Sequence, residues 1–258
     1  ATRNYGAEVV LIGDTFNETN VAAQEFVRET GAHFVPPFDD MAVIEGQGTV
    51  ALEMLEIAPD IETIVVPIGG GGLIAGVAAA AKQIAARDGR PMRIIGVQAE
   101  NASAYPESLA MGEPVTVTTR PTIADGIAVA RPGSLNFDII REYVDEVVTV
   151  SEDDLARAIV LLLERAKMVV EPAGAAGVAA MLAGKINATG TTATILSGGN
   201  IDPLLLAAII ERGMVRSGRL ARIKVSARDV PGVLARITAT VADAGANIEE
   251  VHHQRAFT

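Results

Sequence analysis

The spacing of hydrophobic positions along this chain changes from one segment to the next. Those changes divide most of it into alternating strands and helices. Short apolar runs read as buried strands at residues 8–12, 63–68, 93–97, 145–150 and 192–196. Segments with helical spacing and recognisable end signals lie between them. They cover 17–30, closed by Gly31; 48–58, stopped before Pro59; 73–87; an Ala-rich stretch at 174–182; and 203–213. Another helix starts at Ser151-Glu-Asp-Asp154, where Ser151 is an N-cap and the acids suit the first turn. Buried strands separated by helices predict an α/β fold, an open and mainly parallel sheet with helices on both faces. Ligands in such sheets bind beyond the carboxyl ends of the strands, and both Gly69 and Ser197 follow such ends.

Near residue 220 the texture changes. Residues 222–228 alternate like a half-exposed strand, and Asp229-Val-Pro-Gly232 turns into a helix over 233–244. Gly245-Ala-Asn247 then turns into a second alternating strand at 248–254. This is a β-α-β unit with nothing after it. Two strands and one helix leave a sheet unclosed, so a further C-terminal part or a partner chain is expected. The exposed edge also favours a homo-oligomer.

Composition narrows the function. Apolar residues are 49% of the 258, enough for a large core in one or two domains. Aromatics are only 3%, with no Trp, and the formal charge is −11. Stacking platforms and a basic field are both lacking, which argues against nucleic acid as a partner. Cysteine is absent, which excludes disulfides and thiolate sites in this chain and fits a reducing compartment. Residues 1–6 lack the apolar core of a secretory signal, and the apolar run 73–81 is too short to span a bilayer. A cytoplasmic protein without a membrane partner is expected. The first residue is Ala, not Met, which suggests truncation or processing.

Two glycine loops carry the chemistry. Gly69, Gly70, Gly71 and Gly72 join the strand at 63–68 to the helix that follows. Without Cβ atoms the main chain can close around a ligand, and several N–H groups can converge on an anion at a helix start. A phosphate is the natural guest. Gly70-x-Gly72-x-x-Ala75, with Glu100 at the end of the next strand, also satisfies a relaxed dinucleotide fingerprint. The second loop, Ser197-Gly-Gly-Asn200, again lies between a strand and a helix and offers a hydroxyl and an amide to the same crevice.

Pro67-Ile-Gly-Gly-Gly-Gly-Leu73 and Ser197-Gly-Gly-Asn200 together resemble the two signature loops of fold-type II pyridoxal-phosphate enzymes, whose sheet is of the tryptophan-synthase-β-like kind. The nearest branch is threonine dehydratase (threonine ammonia-lyase) and serine racemase. Tyr5-Gly-Ala-Glu-Val-Val-Leu11, Gly46-Gln-Gly-Thr-Val-Ala-Leu52, Ala124-Asp-Gly-Ile127 and Glu171-Pro-Ala-Gly-Ala175 carry the likeness to about residue 220. The C-terminal piece resembles part of an ACT regulatory domain, which favours the dehydratase. The resemblance implies a remnant of a small domain at 1–35, a large cofactor-binding domain at 36–220 and a partial ACT-like unit at 221–258.

The resemblance also implies roles. Gly69 to Gly72 and Leu73 would hold the phosphate of pyridoxal 5'-phosphate, and Ser197, supported by Asn200, would bond its pyridine nitrogen. Asp125 and Gly126 would line the ring and substrate, and Glu171 would lie near the cofactor face. The implied reaction turns L-threonine, with L-serine as a further candidate substrate, into a 2-oxo acid and ammonia, as in isoleucine biosynthesis. Asp229, Gly232 and Asn247 fall where an amino-acid effector would bind.

One feature of the pattern is missing. The family's Schiff-base lysine lies upstream of the Tyr-Gly-Ala-Glu segment, and Lys82, Lys167, Lys185 and Lys224 have no such context. All four read as solvated surface residues. No catalytic residue is therefore assigned, and the chain is expected to be inactive alone and cut at both ends. A family metal site would use Glu100 and the Ala104 carbonyl, but Pro106 stands where an acid is needed, so no metal is assigned. His252 and His253 point to opposite faces of a strand and read as surface residues; His33 reads as structural. A non-catalytic amino-acid or cofactor-binding fragment and a nucleotide-binding α/β protein remain as alternatives.

Overall fold

Four strands, β1 Ile61–Pro67, β2 Arg93–Ala99, β3 Glu146–Val150 and β4 Thr191–Thr194, form one sheet in the order β3-β2-β1-β4 with every neighbouring pair parallel. The structure is a computed structural model that describes residues 2–13, 16–188 and 190–254. Residue 1 and residues 255–258, the outer ends of the first and last expected domains, lie outside it. The central strands β1 and β2 are buried almost throughout, as their unbroken apolar runs require.

Alternation along β1 builds two cores. Ile64 and Val66 face one side and pack with α2 (Met41–Ile57), α3 (Gly72–Asp88) and α5 (Ser134–Tyr143) through Ile44, Ala51, Ala78, Phe137 and Ile140. Val65 faces the other side. It joins Leu155 and Ile159 of α6 (Glu152–Leu161), Ala176 and Ala179 of α7 (Ala176–Leu182) and Ile209 of α8 (Pro203–Arg216). The remaining α-helices among the described residues are α1 Phe16–Thr30, α4 Ala104–Met111 and α9 Val233–Asp243.

Side chains cap the helices where sequence signals place them. Ser151 Oγ accepts from Asp154 N (3.2 Å) while Asp154 Oδ2 accepts from Ser151 N (3.0 Å), closing a reciprocal box at α6. Asp202 accepts from Leu204 N and Leu205 N at α8, and Asp40 from Ala42 N at α2.

The structure departs from the expected elements in six segments. The helix expected from residue 48 starts at Met41, because Gly46 and Gly48 lie inside it. Gly48 marks a helix crossing: a Cβ there would come within 3.3 Å of Gly76 O on α3. Residues 8–12 form no strand; Val10, Leu11 and Ile12 are exposed. Residues 222–228 and 248–254 likewise form no strand, although α9 is helical as expected. Such a segment becomes a strand only when a neighbouring strand takes its N–H and C=O groups in register, and no strand pairs with these segments among the described residues. Helices α4 and α5 are additions; Pro106 in α4 and the Arg131-Pro-Gly133 approach to α5 mask their spacing.

The α2–α3 crossing can be tested with two glycines of one helix layer. A Cβ at Gly76 would lie 2.6 Å from Gly48 N, which main chain cannot yield. Gly76→Ala should destabilise by about 2 kcal/mol or more despite the better helix propensity of Ala. Gly46, exposed on α2 with nothing within 4 Å of an added Cβ, is the control. Gly46→Ala should stabilise by about 0.5–1 kcal/mol. Urea unfolding midpoints measure both.

Candidate active site

At the carboxyl end of β1 the chain enters the glycine loop and then α3. The loop lines a cavity of about 370 Å³, a size suited to a small ligand. Helix α3 begins at Gly72, so the N–H groups of its first turn have no intrahelical acceptor. Gly71 has φ +105°, a conformation that favours glycine. Each glycine is also a close approach. A Cβ on Gly69 would sit 3.2 Å from Ile127 Cα; on Gly70 it would enter the Phe38 ring; on Gly72 it would lie 2.9 Å from Phe38 O.

The Gly70 carbonyl is pinned from behind. Tyr105 Oη donates to it at 3.0 Å, Asn136 Nδ2 at 3.1 Å and Gly133 N at 3.1 Å. Tyr105 and Asn136 are both fully buried. Asn136 Nδ2 also donates to Phe38 O at 3.1 Å, and its Oδ1 is buried without a partner. A bare acceptor of this kind costs on the order of 1–3 kcal/mol; turning the amide over would set its oxygen against two carbonyl oxygens. Asp39 caps α5 from outside the helix, accepting from Ser134 N, Leu135 N and Asn136 N at 2.9–3.3 Å. Gln98, also fully buried, accepts from Tyr105 N at 2.9 Å.

The second loop meets the first across the cavity. Ser197 follows the β4 run and lines the cavity; its hydroxyl has no protein partner among the described residues. Glu171 fixes the loop behind it: Glu171 N donates to Gly198 O at 2.9 Å, and Glu171 Oε2 accepts from Asn200 N at 3.0 Å. A Cβ on Gly198 would fall 2.5 Å from the Glu171 carboxylate, and one on Gly126 would lie 3.4 Å from Glu171 Oε1. Glu171 therefore stands between the two loops that carry Gly126 and Gly198.

Of the residues singled out in the sequence, Gly69 to Gly72, Leu73, Asp125, Gly126, Glu171 and Ser197 all line this one cavity. Asn200 is not among them and enters through its main-chain bond to Glu171. Asp125 Oδ1 accepts from its neighbour Gly126 N at 2.8 Å. Sequence reasoning missed Phe38, Asp39, Tyr105 and Asn136. Pro36-Pro-Phe-Asp-Asp40 carries a cap signal that points to a helix start, but nothing local links it to a loop some thirty residues on.

Glu100 is not part of this cavity. It lines a separate polar hollow of about 520 Å³ with Glu107 and Arg120, and its carboxylate pairs with Lys185 Nζ at 3.1 Å. The ribose contact of the dinucleotide fingerprint thus lies away from the glycine loop. Lys185 also donates to Thr149 O, and Lys82 pairs with Asp145 while donating to Met92 O. These two lysines are partly buried in ion pairs, unlike the solvated residues expected. None of the four lysines lines the cavity. His33 is exposed where a structural residue was expected, and His252 pairs with Glu250 on the surface.

A family profile described as "Pyridoxal-phosphate dependent enzyme" matches residues 1–198. The chain belongs to the pyridoxal-phosphate dependent enzyme family. Residues 221–257 match the ACT domain. Among similar proteins are the L-threonine ammonia-lyases of Geobacter sulfurreducens, 49% identical, and Thermotoga maritima, 47% identical, each over 99% of this chain. The chain spans 63% of the length of either relative. Among solved structures it is similar to processed threonine deaminase isoform 2 from Solanum lycopersicum (TM-score 0.74, 37% identity, 81% of this chain and 61% of that one). It is also similar to maize serine racemase (TM-score 0.73, 33% identity, 84% and 66%). The cavity fits the family's cofactor: its lining joins side-chain-free backbone at a helix start, suited to a phosphate, with the Ser197 hydroxyl, which has no protein partner among the described residues.

Burial raises the Tyr105 phenol well above the ordinary tyrosine value near 10, and the Asp39 charge adds to the shift. The folded chain thus holds this proton more tightly than the unfolded chain. The resulting stability is fully present below about pH 10 and is lost as the pH rises beyond it. From about pH 9 to about pH 11 the native chain should lose more unfolding free energy than Tyr105→Phe, which has no such proton. Urea midpoints across that range check it.

Proposed function

We propose that the cavity between the two loops holds pyridoxal 5'-phosphate and that the protein converts L-threonine, with L-serine as a second substrate, into a 2-oxo acid and ammonia. One observation carries this reading: a loop with no side chains opens a helix beside a free serine hydroxyl, each beyond the carboxyl end of a parallel strand. Main-chain N–H groups of Gly69 to Leu73 bind the phosphate, where the start of α3 favours negative charge. Ser197 meets the ring nitrogen with a neutral hydroxyl. Unlike a carboxylate, it does not hold a proton there, which suits elimination over long-lived carbanion chemistry. Bound there, the cofactor supplies the electron sink that lets a β-hydroxy amino acid lose its Cα proton and hydroxyl.

The remaining residues orient. Glu171 keeps the Ser197 loop in register with Gly126, and Asp125 and Gly126 border the space for substrate. Residues 1–35 form part of a small domain, 36–220 the large cofactor domain and 221–258 the ACT-like unit. In that unit Asp229, Gly232 and Asn247 meet an amino-acid effector between chains of a cytoplasmic homo-oligomer. No lysine of this chain takes part in covalent attachment. The L-threonine ammonia-lyase names of the relatives support the choice of substrate.

An absorbance titration of the purified chain with pyridoxal phosphate, with and without borohydride, tests the cofactor reading. Saturable binding without a covalent adduct is expected. An adduct located on Lys82, Lys167, Lys185 or Lys224 would refute non-covalent holding. Absence of binding, with retention of a nicotinamide dinucleotide instead, would favour the nucleotide reading. Ser197→Ala should keep most of the affinity, because the phosphate loop is intact, while shifting the absorbance of the bound ring. The whole protein, given L-threonine, should release a 2-oxo acid and ammonia in equal amounts.

A further inference from the structure

We propose that Tyr105 is a positioning residue for the phosphate loop: its hydroxyl, with Asn136 Nδ2 and Gly133 N, draws the Gly70 carbonyl away from the cavity and so turns the Gly71 N–H into it. The inference rests on the reading that this loop takes the cofactor phosphate. In a trans peptide the C=O and the following N–H point in opposite directions. Fixing the oxygen of Gly70 therefore fixes the N–H of Gly71. Tyr105, Asn136 and Gly133 all lie outside the residues that line the cavity. Three donors at 3.0–3.1 Å on one oxygen exceed its two lone pairs.

The surroundings are built for this contact. A Cβ on Gly71 would overlap Tyr105 Oη and come within 3.0 Å of Asn136 Cβ, so glycine at 71 is what admits the two donors. Asn136 spends both N–H groups on carbonyls, those of Phe38 and Gly70, and leaves its own oxygen unpaired. Tyr105 is anchored in turn through its main-chain N–H on the buried Gln98, a residue of the strand next to β1. A peptide turned in advance meets an anion without reorganising, which is where affinity is gained.

The test compares ligands with and without the phosphate. Tyr105→Phe keeps the ring and removes the oxygen. Its affinity for pyridoxal phosphate should fall about five- to tenfold, the loss of one hydrogen bond acting through a charged contact. Its affinity for pyridoxal, which has a hydroxyl in place of the phosphate, should stay within about twofold. Asn136→Leu, which keeps the branched shape and heavy-atom count without the N–H groups, should lose pyridoxal phosphate in the same selective way and is read alone if the tyrosine variant does not fold. Equal losses for both ligands, or no loss for either, would overturn the positioning role and leave Tyr105 a core residue. If the native chain itself bound pyridoxal as tightly as its phosphate, the phosphate-loop reading would fail instead.

Discussion

Between the last residue of β1 and the first turn of α3 the main chain runs through four positions at which a methyl group would touch or overlap a neighbour. Those neighbours come from three directions: the Ile127 turn at Gly69, Phe38 at Gly70 and Gly72, and Tyr105 with Asn136 at Gly71. The absence of Cβ atoms lets four separate segments reach the same few peptide groups. Four adjacent glycines lose much conformational freedom on folding, and the packed cores on either face of β1 supply the stability that holds them. Only then can the loop present N–H groups in a set direction.

Glu171 plays the matching part on the other side of the cavity. It is held by its own main chain on Gly198 and holds Asn200 through its carboxylate, so the Ser197 loop is ordered from beneath. Its oxygens also lie against the Gly126 turn. The two loops and the Gly126 turn therefore share contacts instead of standing as independent features, and Ser197 stays free to meet a ligand.

Beyond α8 the structure changes character. Residues 221–254 bury none of their large apolar side chains, and Ile223, Val225, Leu234, Ile248 and Val251 are all exposed. Helix α9 forms because its bonds are internal, whereas the flanking alternating segments lack strand neighbours among the described residues. The same contrast separates helix α1, formed as expected, from residues 8–12, which are not a strand.

The sequence by itself determined the parallel α/β architecture, because buried runs at 63–68 and 93–97 can be satisfied only by a sheet covered on both faces. It also singled out both glycine loops, Ser197 and Glu171, since glycine runs at strand ends and a recognisable family pattern are local signals. Tertiary structure alone decided what stands behind the loop. Tyr105 sits thirty-five residues from Gly70 and Asn136 sixty-six, and neither has any local mark of its role. Helical spacing made Gly48 look like a helix start, but it is a crossing point, visible only when α3 is laid against it. Strand pairing was the other thing beyond reach. Alternation describes a side-chain pattern, and a strand exists only where a second chain segment accepts its hydrogen bonds.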